Sequence, residues 1–225
     1  MHLIKLSDYT LAPIGKGSGI NKFHFTLSKG DVCSIHADSP DNACLLLKGL
    51  ATLVRPVTGD YSFKGKKLDF SDDRNLLPFK KKIGYISTDS ALVSSITLRE
   101  NLLLMRYYFE NSLSIDLDEK TEKLCNAFNI QDKLDMRSSE IGLLNSRLGI
   151  TIREVTKSPD VLLIERPEDF IDHSNFDLFS EILIDFLMSE TAIVFFSCKK
   201  AFIEKFYNKK IIISDRQLIT TPRRP

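Results

Sequence analysis

The spacing of apolar side chains divides the chain into segments of different period. Residues 3–11, LIKLSDYTL, and 22–28, KFHFTLS, alternate apolar with polar and flank the glycine-rich GKGSG, which predicts two antiparallel strands around a flexible turn. DVCSI, residues 31–35, reads as a more buried strand; a turn made of Asp38, Ser39, Pro40, Asp41 and Asn42 follows, then an amphipathic helix from about Ala43 to residue 54. RPVTGDYSFKGKKL places turn residues around short strands, and KKIGYIS reads as one more strand. From about 97 to 157 the period becomes helical, with Leu98, Leu102, Met105 and Phe109 near one face of the first helix. DVLLIE at 160–165 is a continuous apolar run of the kind buried in a parallel sheet. A helix at about 175–188 follows, and TAIVFFS and KKIIIS repeat the strand signature. The reading is an α/β fold: a parallel core with an antiparallel β subdomain and an inserted α-helical subdomain. It forms one domain over 1–225, with 1–86 and 158–225 as core plus β subdomain and 87–157 as the inserted block.

Composition narrows the function classes more than the fold. At 225 residues and 43% hydrophobic, the chain can bury a substantial core. Its 31 Lys and Arg almost cancel 30 Asp and Glu, so no global field draws it to nucleic acid or anionic lipid. KKK at 80–82 reads as a solvated face. The four cysteines, Cys33, Cys44, Cys125 and Cys198, sit in apolar contexts without metal-ligand spacing, which suits buried thiols in a reducing compartment. His24, His36 and His173 are isolated, and no metal site is expected. The N-terminus lacks the layout of a signal peptide, and no apolar run approaches the roughly 18 residues of a membrane span. A cytoplasmic protein is expected, with any membrane contact made indirectly.

Three ordered stretches resemble the ATP-binding cassette (ABC) ATPases, the motor subunits of ABC transporters and P-loop NTPases of RecA-like fold. GDVCSIHADSPDNACLLLKGLATLVRPVTGDYSFKGKKL resembles the family's phosphate-loop stretch, G-E-x-x-x-I-x-G-P-N-G-S-G-K-S-T-L-L-K. KKIGYISTDSALVSSITLRENLLL is similar to the Q-loop region, and SSEIGLLNSRLGITIREVTKSPDVLLIERPEDFID to the signature helix, Walker B strand and D-loop. The run ITLRENLLLMRYY also resembles cassettes of lipid-trafficking importers associated with MCE proteins.

Set against these motifs, the catalytic positions are degenerate. A phosphate loop works because glycines let backbone N–H groups converge on phosphate oxygens while lysine supplies charge and a hydroxyl meets magnesium. Here Ala37 and Asn42 stand at the bracketing glycines, Ala43 at the lysine and Cys44 at the hydroxyl, and Pro40 removes one N–H. Asp38 and Asp41 add negative charge. Thr88 replaces the Q-loop glutamine and is too short to act alike. Glu165 keeps a carboxylate at the Walker B position, but Arg166 replaces the general base, and a guanidinium cannot accept a proton at neutral pH. Glu165 and Arg166 read equally well as a local ion pair. Gly142, Leu143, Leu144 and Asn145 stand in for the signature, and Cys198, or Ser197 if the alignment slips, for the switch histidine. Tyr9 falls at a core position and Pro13 nearer the adenine-stacking one.

The resemblance then implies a pseudo-ATPase, with no catalytic residue, no metal and no cofactor expected, ATP and magnesium entering only if the loop binds nucleotide unconventionally. The expected partners are an integral-membrane permease and a second cassette, identical or not, with no nucleic acid. Permease docking falls to Leu92, Thr97, Arg99, Glu100 and Asn101, and Asp172 lies on the turn facing the partner cassette. A slow ATPase powering transport, with lipid as one cargo class, and a soluble regulator derived from the fold are the alternatives.

Overall fold

The computed structural model of the protein describes residues 2–169, 171 and 173–223. Strands β1 (His2–Leu11) and β2 (Ile20–Ser28) pair antiparallel across the glycine-rich turn, as their alternation predicts. With β4 (Thr58–Phe63) and β5 (Lys66–Lys67) they make a four-stranded sheet in the order β2-β1-β4-β5. Between them in sequence come β3 (Val32–Ala37) and helix α1 (Pro40–Leu50).

The remaining chain runs through α2 (Leu77–Lys80), β6 (Ile83–Ile86), α3 (Leu98–Glu110), α4 (Glu119–Ala127), α5 (Gly142–Thr156) and β7 (Val161–Glu165). It ends with α6 (His173–Met188), β8 (Ala192–Phe196), α7 (Lys200–Phe206), β9 (Lys209–Ser214) and β10 (Gln217–Pro222). The second sheet has the order β10-β9-β3-β8-β7-β6 and is parallel from β9 to β6. Its outer strand β10 adds an antiparallel edge to the parallel core, because Asp215 and Arg216 both take positive φ and turn the chain back as a hairpin.

Strand alternation sends side chains to two apolar cores. Val161 and Leu163 of β7 and Ala192 and Val194 of β8 face α1 and the antiparallel sheet. Leu162, Ile164, Ile193 and Phe195 face α3, α5, α6 and α7. Both faces are covered, so these strands read as continuous apolar runs. In α1, Leu45, Leu46, Leu47 and Leu50 are fully buried, each contributing about 1.5–3 kcal/mol by transfer from water. The first face of α3 is narrower than its pattern predicts: Leu98, Leu102 and Leu103 are buried, while Met105 and Phe109 lie at its edge. No helix among the described residues is long and apolar enough to cross a membrane.

Candidate functional site

The C-terminal ends of β3, β7 and β8 bring Ala37, Glu165 and Phe196 to one edge of the parallel sheet, the edge where open α/β sheets hold their ligands. The first departure from expectation is the length of the loop after β3. Helix α1 begins at Pro40 and ends at Leu50, not from Ala43 to residue 54. Ser39 sits in extended backbone as its N-cap, Pro40 is well suited to the first turn, and the Ser39 hydroxyl accepts from the Asp41 N–H at 3.3 Å. The residues that would arch around a phosphate are coiled into helix.

Of the five peptide N–H groups that residues 38–43 retain, four have a partner within the chain. Asp38 N–H donates to the Ile213 carbonyl at 3.0 Å, and Asn42 and Ala43 N–H to the Ser39 carbonyl at 3.1 and 3.4 Å. The Asp38 carboxylate is held below its usual range chiefly by the Asn42 amide. Pro40 has no N–H.

The turn between β1 and β2 folds onto the same spot. The Lys16 N–H donates to Asp41 Oδ2 at 2.6 Å, and the Gly19 N–H to Asn42 Oδ1 at 3.1 Å. The buried Asn42 amide donates in turn to Ser18 Oγ at 3.1 Å and Asp38 Oδ1 at 2.8 Å. The approach requires glycine: a Cβ at Gly17 would stand 2.6 Å from Asn42 Oδ1. Asp41 thus takes a backbone N–H much as a bound anion would. GKGSG, which the sequence presents only as a flexible turn, is the missed component of this site.

Glu165 lies 4% exposed at the end of β7, and both its oxygens are engaged. Oε2 accepts the Tyr85 hydroxyl at 2.7 Å and Oε1 the Thr88 hydroxyl at 3.0 Å. Thr88 thus lies beside Glu165 and spends its hydroxyl on that carboxylate. Burial first, and the neighbouring Glu165 second, push the Cys44 thiol up to about 12, and burial with Glu165 also pushes the Tyr85 phenol up. Arg166 does not pair with Glu165. Its backbone has φ +47°, which turns the guanidinium to the Asp169 carboxylate at 2.8 Å.

At the end of β8, the Ser197 hydroxyl donates to Glu168 Oε2 at 2.8 Å and the Cys198 N–H to Oε1 at 2.6 Å. Both residues that could stand at the switch position are thus clamped to the turn after β7. Cys198 is exposed and Cys44 only half-buried, against the expectation that all four thiols are buried. Iodoacetamide at pH 8 is expected to label Cys198 first in the native protein. Burial holds Cys33 and Cys44 up at about 12 and Cys125 at about 11, so their reactive thiolate is scarce. Peptide mass mapping over a time course checks this, and fast labelling of Cys44 would contradict it.

The stretch resembling the signature opens α5. Gly142 takes φ +76°, no side chain caps the helix, and Leu143 is 68% exposed. Leu144 is exposed beside it, and Asn145 bonds back to the Ile141 carbonyl at 2.7 Å. The Arg147 guanidinium reaches the Asp169 carbonyl, tying α5 to the turn after β7.

Among the expected docking residues, Thr97 and Glu100 form a reciprocal capping box at the start of α3. Leu92 packs inward near Gly149, Arg99 pairs with Asp135 at 2.8 Å, and Asn101 is fully buried. These residues shape the 92–101 surface more than they present it, and the apolar side chain it does present is Val93, 45% exposed. Asp172 lies outside the described residues. Among the described residues no group of three or more His, Cys, Asp and Glu side chains is placed to hold a metal.

No family model matches the chain. It is similar to curated proteins at low identity. It shares 25% over 154 residues, 68% of this chain and 59% of the relative, with the ABC transporter ATP-binding protein YvcR of Bacillus subtilis. It shares 24% over 172 residues, 74% of this chain and 75% of the relative, with the lipoprotein-releasing system ATP-binding protein LolD of Buchnera aphidicola. With the methionine import ATP-binding protein MetN of Haemophilus influenzae it shares 26% over 174 residues, 76% of this chain but 50% of the relative. Among solved structures it superposes on a dimeric bacterial ABC transporter cassette, MJ0796, with a TM-score of 0.82 at 17% identity, covering 99% of this chain and 100% of that one. The ATP-binding subunit of another ABC transporter gives 0.80 at 15% identity over 98% and 90% of the two chains.

Proposed function

We propose that this chain, which has the ABC ATPase cassette fold, is a cassette subunit that no longer binds or hydrolyses ATP and serves instead as a docking and pairing partner. The observation that carries the reading is the internal use of four of the five N–H groups at 38–43, those of Asp38, Asp41, Asn42 and Ala43. A triphosphate approaching this loop would have to break those bonds and displace Lys16 from Asp41, and it would meet no compensating cation at Ala43. The residues do not fit magnesium either. Glu165 is engaged on both oxygens, and Cys44 offers a protonated thiol where a hydroxyl is needed. Arg166, paired with Asp169, supplies no general base.

Calorimetric titration with Mg-ATP is expected to give no binding tighter than about 100 μM, a limit worth roughly 5.5 kcal/mol. A tighter constant would overturn the reading. The single substitution Ala43→Lys is expected to leave the result unchanged, because the loop N–H groups stay occupied.

The positive half of the proposal is pairing with a membrane permease and a second cassette at the cytoplasmic face of a membrane. It draws on the similarity to transporter ATP-binding subunits and on the built surface at 92–101, where the capping box and buried Asn101 fix a turn that presents Val93. Val93→Asp is expected to abolish co-purification with membranes while leaving the melting temperature within about 2 °C, as for other exposed positions. The resemblance to lipid-trafficking importers makes a lipid the first cargo class to test in the assembled complex.

A further inference from the structure

A second concavity lies at the opposite, N-terminal edge of the parallel sheet, where Lys29, Asp160 and Thr191 lead into β3, β7 and β8. It is a cleft of two chambers. One, about 510 Å³, has an apolar floor of Leu124, Val155, Ile182 and Phe186 between α4, α5 and α6. The other, about 330 Å³, is polar and includes Lys29, Ser158, Asp160, Glu190 and Thr191. Lys120, Phe186 and Ser189 border both.

We propose that this cleft binds a single-chain amphiphile with an anionic head, its tail over Leu124, Val155, Ile182 and Phe186 and its head between Lys120 and Lys29. Each chamber has the volume of a small-molecule site rather than of a protein interface. The junction is marked by Lys120, whose ammonium stands 5.5 Å from the centroid of the Phe186 ring and so sits where tail gives way to head.

Charge selects the sign of the head. The carboxylates nearest the lysines are mostly engaged: Glu119 with Lys123 at 2.6 Å and Asp160 with Lys64 at 2.8 Å. In the polar chamber that leaves Lys29 and Lys120 against Glu190, while Asp185 lines the apolar chamber, which Lys120 also borders. A head seated in the polar chamber meets two ammonium groups and one unengaged carboxylate, so there an anion gains and a cation does not.

The test is a titration of the full chain, labelled at its Ile, Leu and Val methyl groups, with decanoate and with decyltrimethylammonium, followed by NMR. Decanoate is expected to give saturable shifts at Val155, Ile182 and Leu124 and none at Leu6 or Leu45, which are buried in the other core. Lys120→Glu and Lys29→Glu, both at exposed positions, are each expected to weaken decanoate about two- to fivefold, the range of exposed ion pairs. Unchanged spectra elsewhere would show that the variants fold. Decyltrimethylammonium is expected to bind at least fivefold more weakly than decanoate. No saturable shift, shifts centred elsewhere, equal binding of the cationic chain, or indifference to both substitutions would each overturn the assignment.

Discussion

Asn101→Ala will destabilise the fold by about 3 kcal/mol and lower the melting temperature by roughly 6–12 °C, although the position stands in a surface-forming segment. The amide is fully buried. Its Oδ1 accepts the Val93 N–H at 2.8 Å, and its Nδ2 donates among the Val93 carbonyl at 3.0 Å, the Thr97 carbonyl at 3.0 Å and Ser138 Oγ at 2.9 Å. Truncation removes all of these at once and leaves peptide groups of the 93–97 turn without partners. Each such group costs about 1–3 kcal/mol when water cannot replace the lost bond, less whatever the turn recovers by relaxing. Arg99→Ala, two residues away, is the control. Its pair with Asp135 is solvent-screened, so the loss should stay within about 1 kcal/mol. Denaturant unfolding followed by circular dichroism compares the two. A cost below about 1 kcal/mol for Asn101→Ala would mean that the 92–101 surface is not held by this residue.

Glu165→Ala is expected to destabilise by about 2–3 kcal/mol, and magnesium should not change the unfolding midpoint of either protein. Where a carboxylate is kept for a metal, removing it relieves repulsion and seldom weakens the fold. Here the same group is the acceptor for two partly buried hydroxyls, Tyr85 at 2.7 Å and Thr88 at 3.0 Å, on neighbouring strand β6 and the turn after it. Its loss strands both donors at the sheet edge. Glu165→Gln keeps one carbonyl oxygen as acceptor and should cost less than half as much. Thermal unfolding with and without 10 mM magnesium chloride reads the comparison. A magnesium-dependent rise in the midpoint of the wild-type protein would reveal a metal site and overturn the structural role of Glu165.

The sequence by itself determined the layered α/β architecture, because period is a local property. Alternation in LIKLSDYTL and continuity in DVLLIE each specify how many faces of a strand are covered, and the cores on both sides of β7 and β8 agree with that. It also determined which chemical groups are missing, since no fold can supply an ammonium at Ala43 or a base at Arg166. What replaced them was decided by tertiary structure. GKGSG reads as a loose turn, and only the packing of β1 and β2 against α1 brings the Lys16 N–H to Asp41, 25 residues away in sequence. The early start of α1 at Pro40 depends on Ser39 being free to cap it and on Asp38 being tied to β9 through the Ile213 carbonyl. Likewise the adjacent Glu165 and Arg166 suggest a pair by proximity in sequence. The positive φ at Arg166 sends them to different partners, Tyr85 and Thr88 for one and Asp169 for the other. Hydrogen-bond partners distant in sequence carry no periodic signal, so Asn42 reads only as a replaced loop glycine and Asn101 only as a docking position until the chain folds around them.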